Sequence, residues 1–188
     1  MTFRDGTLYT ATRLSPSDPY WRDVVDAVQR RTKPNTGTFT VQEVYSLRWR
    51  NKPFPYSYTY EFRPNRRFFW HGSSIQNLQR ILDEGFKPGM GGMLGPGIYT
   101  TFHINKSWGY APERFVMSVM IYAPNTVCFH SGDVVDLNSV SYLKQAHDAI
   151  EVRSGVMVGT WSMNNHEICV QESVRAIPRF ITKLTHKP

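Results

Sequence analysis

A chain of 188 residues, 40% of them hydrophobic, is long enough to bury a substantial core and short enough to form one domain over residues 1–188. Its 14% aromatic content suits a β-rich core or a stacking site, and a formal charge of +7 fits a nucleic-acid or nucleotide partner as well as it fits an ordinary mildly basic surface. Cys128 and Cys169 form no CxxC pair and no Cys/His ligand cluster, so two free thiols in a reducing compartment are expected. The opening Met1-Thr2-Phe3-Arg4-Asp5 lacks the apolar run of a secretion signal, and no apolar stretch is long enough to span a membrane. A cytoplasmic or nuclear location follows as an expectation.

Ser15-Pro16-Ser17-Asp18-Pro19 is a dense helix-start signal. Trp21, Val24, Val25 and Val28 then mark one face of an amphipathic helix that ends near Arg30-Arg31, where positive charge suits the helix end. Residues 33–37 form a turn, and Phe39 to Trp49 reads as a strand. For 51–62 both strand and helix remain open. Arg48, Arg50, Lys52, Arg63, Arg66 and Arg67 lie among aromatics in 48–70, which suits either phosphate contact with base stacking or a solvated basic edge.

Arg67 to His71 reads as a buried strand. Ser73 or Ser74 caps a helix whose apolar stripe is Ile75, Leu78, Ile81 and Leu82 and whose stop is Gly85. Five glycines follow in Lys87 to Gly97, without the Gly-Lys-Ser/Thr of a phosphate-binding P-loop. Ile98 to Thr101 is a brief strand, and Asn105 is the expected cap of a helix running through Tyr110. Phe115 to Tyr122 is almost wholly apolar and should be a central strand buried on both faces. Strands are further expected at 134–137, 149–152, 167–171 and 178–184, with a helix over 140–145. Many strands and few short helices, without βαβ alternation, predict an α+β fold with a mostly antiparallel sheet.

The stretch 70–110 combines turn chemistry, aromatics and polar groups as no other part of the chain does, which points to the wall of a nucleotide pocket. A nucleophile elbow, a His-Glu-x-x-His zinc motif and a dinucleotide fingerprint are all absent. Asp133 and Asp136 have no converging ligand set, and no metal is expected. His130 and His147 read as surface or structural residues.

Trp70-His71-Gly72-Ser73, a helix ending at Gly85-Phe86, then Gly95-Pro96-Gly97-Ile98-Tyr99, then Lys106-Ser107 with Tyr110, resemble in that order the catalytic domain of poly(ADP-ribose) polymerases and related mono-ADP-ribosyltransferases, the diphtheria-toxin-like class. Leu14 to Trp49 is similar to the entry of that domain, and Met93 to Gly97 is most similar to its mono-transferring and small stand-alone members. The resemblance implies the ADP-ribosyltransferase fold: a split, mostly antiparallel β-sheet core with short flanking helices. It also implies NAD as substrate. Glu167 stands thirteen residues before Phe180, which follows Arg179, and so matches the family's third signature residue. His71, Tyr99 and Glu167 then form its His-Tyr-Glu pattern.

Cleaving the nicotinamide–ribose bond requires a hold on the nicotinamide amide, aromatic faces for its flat cationic ring, and negative charge beside the ribose. The resemblance assigns the first to the Gly72 backbone and Ser107, the second to Tyr99 and Tyr110, and the third to Glu167. It gives His71 a ribose hydroxyl on the adenosine side and places Ser73 among the NAD-binding residues. His166 is the competing candidate for the place of Glu167 in a shifted alignment. The implied activity is ADP-ribosyl transfer from NAD to a protein or nucleic-acid acceptor by a monomer; the overall resemblance implies single units, while the His-Tyr-Glu pattern also permits chains. A silent relative that binds ADP-ribose or RNA is the alternative.

Overall fold

The computed structural model describes residues 3–50 and 68–188. Its framework is a nine-stranded sheet in the order β1-β2-β12-β5-β3-β4-β11-β8-β6. The strands are β1 (Tyr9–Arg13), β2 (Thr38–Trp49), β3 (Phe68–Gly72), β4 (Ile98–Thr101), β5 (Phe115–Ile121), β6 (Thr126–Phe129), β8 (Ala149–Val152), β11 (Glu167–Val170) and β12 (Ala176–Lys187). Every pairing in this sheet is antiparallel except that of β6 with β8. A small second sheet joins β7 (Val134–Val135), β9 (Met157–Val158) and β10 (Trp161–Ser162). The protein is therefore α+β with a mostly antiparallel core.

The centre of the sheet is buried on both faces because β5 and the start of β3 are apolar at nearly every position, Ser118 being the polar exception in β5. In β5, Phe115, Met117, Val119 and Ile121 face one core cluster and Val116 faces the other; in β3, Phe69 faces the first and Phe68 and Trp70 the second. The first face is covered by α2 (Ile75–Glu84), whose Leu78, Ile81 and Leu82 are buried. Each such leucine contributes about 2 kcal/mol of burial. The second face is covered by α1 (Pro19–Arg30) through Val24 and Val28. Asp18 caps α1 by accepting from the Tyr20 N–H at 2.9 Å, Pro19 occupies the first turn, and Ser74 caps α2. Gly85 ends α2, its N–H donating to the Ile81 carbonyl.

The two halves of the sheet meet at a weak seam. Between β3 and β4 the described residues form one register pair, Trp70 with Thr101, whereas β3 and β5 pair along five residues. Beyond Trp70 the strands diverge, and a cleft opens between His71-Gly72 and Tyr99.

Several sequence expectations need correction. The short helix α3 (Ile104–Gly109) is preceded by His103 at the cap position, which makes no side-chain cap bond; Asn105 instead bonds to the loop after α1. Strand 134–137 stops at Val135 because Asp136 starts a 3₁₀ turn by accepting from the Asn138 N–H. The helix at 140–145 is α4 (Val140–Ala146). The last strand runs through Lys187 and accommodates Pro178 beside a bulge. β1, β6, β9 and β10 are strands beyond those the sequence predicts. The question of strand or helix at 51–62 falls outside the described residues, as do the basic positions 52, 63, 66 and 67.

Candidate active site

The seam cleft holds a cavity of about 380 Å³ lined by His71, Gly72, Tyr99, Lys106, Ser107, Tyr110 and Glu167, with Thr101 and the loop 91–93. A neighbouring cavity of about 570 Å³ shares His71, Gly91 and Tyr99 and adds Ser73, Asn77, Arg80 and Lys87. Both volumes are of small-molecule size, and the shared residues join them into one bent cleft.

Gly72 is what lets α3 close one wall. A Cβ built there would stand 1.7 Å from the Ser107 carbonyl oxygen, so strand and helix touch backbone to backbone. This contact carries Ser107 to the cavity, 2% exposed, with its Oγ enclosed and without a hydrogen-bond partner among the described residues. A buried hydroxyl of this kind is costly unless a ligand supplies its partner. Tyr110 follows α3 at the rim and is 63% exposed.

His71 spans the seam. Its Nδ1 lies 3.0 Å from the Tyr99 carbonyl oxygen, which only accepts, so Nδ1 carries the proton and a neutral ring leaves Nε2 as acceptor. Although the residue keeps some exposed surface, its ring is enclosed by protein, with Phe86 edge-on at 5.1 Å. That enclosure lowers its pKa below the ordinary 6.5, against the smaller raising effect of the Tyr99 carbonyl. His103 is lowered too, by burial first and then by His166, Lys33 and Arg31. The unfolded chain thus binds protons more tightly at both sites, and stability present above about pH 6.5 is lost as the pH falls from there toward the folded pKa values. Denaturant midpoints at about pH 7.5 and pH 5.5 are expected to show the loss, and His71→Asn to show a smaller one.

Tyr99 organises the glycine-rich loop. Its hydroxyl donates to the Gly95 carbonyl at 2.6 Å and accepts from the Leu94 N–H at 2.9 Å. Leu94 is buried beside Ile150 and Val152 and anchors the loop. Burial pushes the Tyr99 phenol well above its usual value, helped by Cys169 and Glu167, so it stays a donor. Gly92 lies against the ring, where an added Cβ would come within 2.4 Å of it. Tyr99→Phe strips the Leu94 N–H and the Gly95 carbonyl, both part-buried, of their partner. It is expected to loosen the loop 91–95 and to destabilise the protein by about 1–2 kcal/mol, as denaturant unfolding would show.

Glu167 opens β11, 7% exposed, paired in register with Thr101 on β4 and Val152 on β8. Its Oε1 receives the Lys106 ammonium from α3. The neighbouring His166 faces elsewhere: its Nε2 meets Glu151 Oε1 at 2.7 Å and its ring stacks on Phe102 at 4.8 Å. Of the two neighbours, Glu167 is the one that lines the cavity. Ser73 accepts from the Asn77 side chain at the second cavity. Lys106, part of the sequence motif but given no role there, also lines the cavity. Cys169 is buried below Tyr99 and Cys128 is half-buried, and neither is in a disulfide. Asp133 and Asp136 cap their own turns.

An antiparallel α+β sheet whose central strands part around a buried carboxylate, a neutral histidine and a tyrosine has the layout of an ADP-ribosyltransferase domain. The family model described as Poly(ADP-ribose) polymerase catalytic domain matches residues 20–178, and the chain belongs to that family. It is 32% identical over 82 residues to "Poly [ADP-ribose] polymerase 1" of Danio rerio, and 32% identical over 85 residues to "Poly [ADP-ribose] polymerase" of Sarcophaga peregrina. These matches take in 40% and 42% of this chain and 8% of each relative, so the chain spans a small part of their length.

Proposed function

We propose that residues 1–188 form one catalytic domain that transfers single ADP-ribose units from NAD to a protein or nucleic-acid acceptor. The observation that carries this reading is a buried Glu167 fixed by Lys106 in the same cleft as His71, Tyr99 and the unpartnered Ser107 hydroxyl.

Each side chain has a task set by its chemistry. Ser107 Oγ and the Gly72 backbone hold the nicotinamide amide, which supplies the partner the buried hydroxyl lacks. Tyr99 and Tyr110 provide the aromatic faces for the cationic ring. The neutral His71 offers Nε2 to a ribose hydroxyl, and Ser73, Arg80 and Lys87 border the cavity left for the adenosine diphosphate half. As the bond between C1″ and the nicotinamide nitrogen breaks, nicotinamide leaves with the electron pair and positive charge builds on the ribose. The Glu167 carboxylate stabilises that charge and orients the acceptor, whose oxygen forms the new bond to C1″ and whose proton passes to Glu167 or water. Lys106 holds Glu167 in place during the step. The reading supposes a monomer that acts in the nucleus or cytoplasm; among the described residues no helix is long and apolar enough to cross a membrane.

Incubation with nicotinamide-labelled NAD tests this reading. Release of label well above that of Glu167→Ala is expected. Equal release from both would leave a silent module that binds ADP-ribose or RNA. Gel and mass analysis of the modified acceptor separates single units from chains.

A further inference from the structure

The second cavity of the cleft is walled by one face of α2 and by the loop after it. Asn77, Arg80 and Glu84 follow one another at helical spacing, so their side chains stand in one row, and all three line the cavity together with Ser73 and Lys87. Ser73 Oγ accepts from Asn77 Nδ2 at 3.1 Å, which leaves its own proton to donate to a ligand. The N-terminus of α2 is not open to an anion. The chain's own Glu113 accepts from the Ile75 N–H at 3.2 Å, and Ser74 Oγ accepts from the Asn77 N–H at 3.3 Å. An anion in this cavity therefore meets side chains rather than the helix end.

Arg80 is the cation on this wall that the fold leaves uncompensated. Both acidic residues near it on α2 are engaged, Asp83 by Arg4 at 3.0 Å and Glu84 by Lys87. Among the described residues no carboxylate forms an ion pair with Arg80. Both partners of the Lys87–Glu84 pair are exposed, so the pair contributes little and Lys87 exchanges readily to a stronger acceptor. His71 lines the same cavity and presents a neutral Nε2, which accepts and does not donate. The cavity thus has two kinds of lining. His71 suits a free hydroxyl. Ser73, Arg80 and Lys87 are donors, two of them cationic, and that set suits a phosphate.

We propose that this cavity admits a dinucleotide whose adenosine ribose carries a phosphate, so that NADP serves as donor beside NAD. His71 keeps one hydroxyl of that ribose, and the other, turned to α2, carries the phosphate to Arg80. A carboxylate free to accept a ribose hydroxyl turns a phosphorylated dinucleotide away, whereas an arginine admits it. Here the carboxylate, Glu84, is neutralised by Lys87, and the arginine has no competing ion pair among the described residues. The step at C1″ is unchanged: its bond to the nicotinamide nitrogen breaks, the acceptor oxygen forms the new bond, and the transferred unit bears one phosphate more. The proposal rests on the ADP-ribosyltransferase reading for turnover, whereas the binding itself needs none.

The test measures nicotinamide release and calorimetric binding with NAD, with NADP and with the isomer phosphorylated on the 3′-hydroxyl; the last two tell which hydroxyl faces α2. At least one phosphorylated dinucleotide is expected to reach a kcat/KM within about tenfold of that for NAD. Arg80→Gln is expected to lower the ratio of kcat/KM for that dinucleotide to that for NAD about tenfold, the size of one charge-assisted contact, and Arg80→Lys to retain part of it. Glu84→Gln removes the one negative side chain among the described residues of this cavity, and should raise the same ratio. Two exposed substitutions that move one ratio in opposite directions do not share a folding defect. Turnover of NAD with both phosphorylated dinucleotides rejected by more than about tenfold overturns the proposal. So does an Arg80→Gln enzyme that loses NAD and NADP equally, because Arg80 then serves a part common to both. Binding of a phosphorylated dinucleotide that depends on Arg80, without nicotinamide release from any donor, would defeat the enzymatic reading and leave the phosphate site standing. A folded protein that binds none of the three defeats both.

Discussion

Glu167→Gln is expected to slow nicotinamide release and transfer by about 10²–10³-fold while leaving the fold and the NAD affinity nearly intact. Glutamine keeps the size and much of the hydrogen-bonding capacity of the side chain but removes the negative charge. That charge matters most when the ribose becomes positive, so its loss falls on kcat more than on KM. The site makes the charge effective because Glu167 is buried at the start of β11, where water screens it little. The substitution leaves the Lys106 ammonium without its partner, but Lys106 keeps enough exposure to reach solvent. Lys106→Met should behave differently. It strands a buried carboxylate, and so is expected to cost stability as well as rate. Thermal denaturation and steady-state kinetics on both variants separate these effects. A Glu167→Gln enzyme within threefold of the parent kcat would remove Glu167 from the chemistry.

What the sequence makes legible is whatever one segment decides for itself. The two-faced burial of β3 and β5 is written in nearly continuous apolar runs, the caps Asp18 and Ser74 stand at the starts of apolar periodicity, and the stop at Gly85 follows its last turn. Edge strands leave no such mark. β1 is Tyr-Thr-Ala-Thr-Arg, a strand only because β2 lies beside it, and β6 is half-buried along its whole length. At the site, His71, Tyr99 and Ser107 fall within one stretch and were readable together. Glu167 is reached only through the resemblance, which matches its place thirteen residues before Phe180 to the family's third signature position. The Lys106–Glu167 pair was not readable, because it spans 61 positions and depends on β4 and β11 pairing in the register that sets Thr101 opposite Glu167. Asn105 misled for the same reason: a residue suited to capping its own helix is used instead to bind the Lys33 N–H and Thr36. Of the basic stretch 48–70, Arg48 is exposed and Arg50 pairs with Asp5 at 2.9 Å, so the part of it that is described includes an ordinary surface ion pair.

Gly72→Ala is expected to be the most damaging single-methyl change in the protein, destabilising it by about 3 kcal/mol and removing measurable NAD turnover. The new Cβ would sit 1.7 Å from the carbonyl oxygen of Ser107 and 2.6 Å from its carbonyl carbon. Both are backbone atoms of α3, so no side chain can turn aside to relieve the overlap. Either β3 or α3 has to move by more than an ångström. Movement of β3 breaks its pairing with β5 at Val116, whereas movement of α3 carries Ser107 and Lys106 away from the cleft and loosens the hold on Glu167. Both routes damage the site, and they leave different traces. The first lowers the thermal midpoint by roughly 10 °C, as a loss of this size would in a domain of this length. The second preserves more of the midpoint but abolishes nicotinamide release. Gly109→Ala serves as the control, because a Cβ at the end of α3 meets nothing within 4 Å. Its effect should stay within about 1 kcal/mol, the scale of a glycine-to-alanine change in an open helix. A Gly72→Ala protein as stable and active as Gly109→Ala would mean that β3 and α3 do not touch in solution, and that the close wall of the cleft is not built on this glycine.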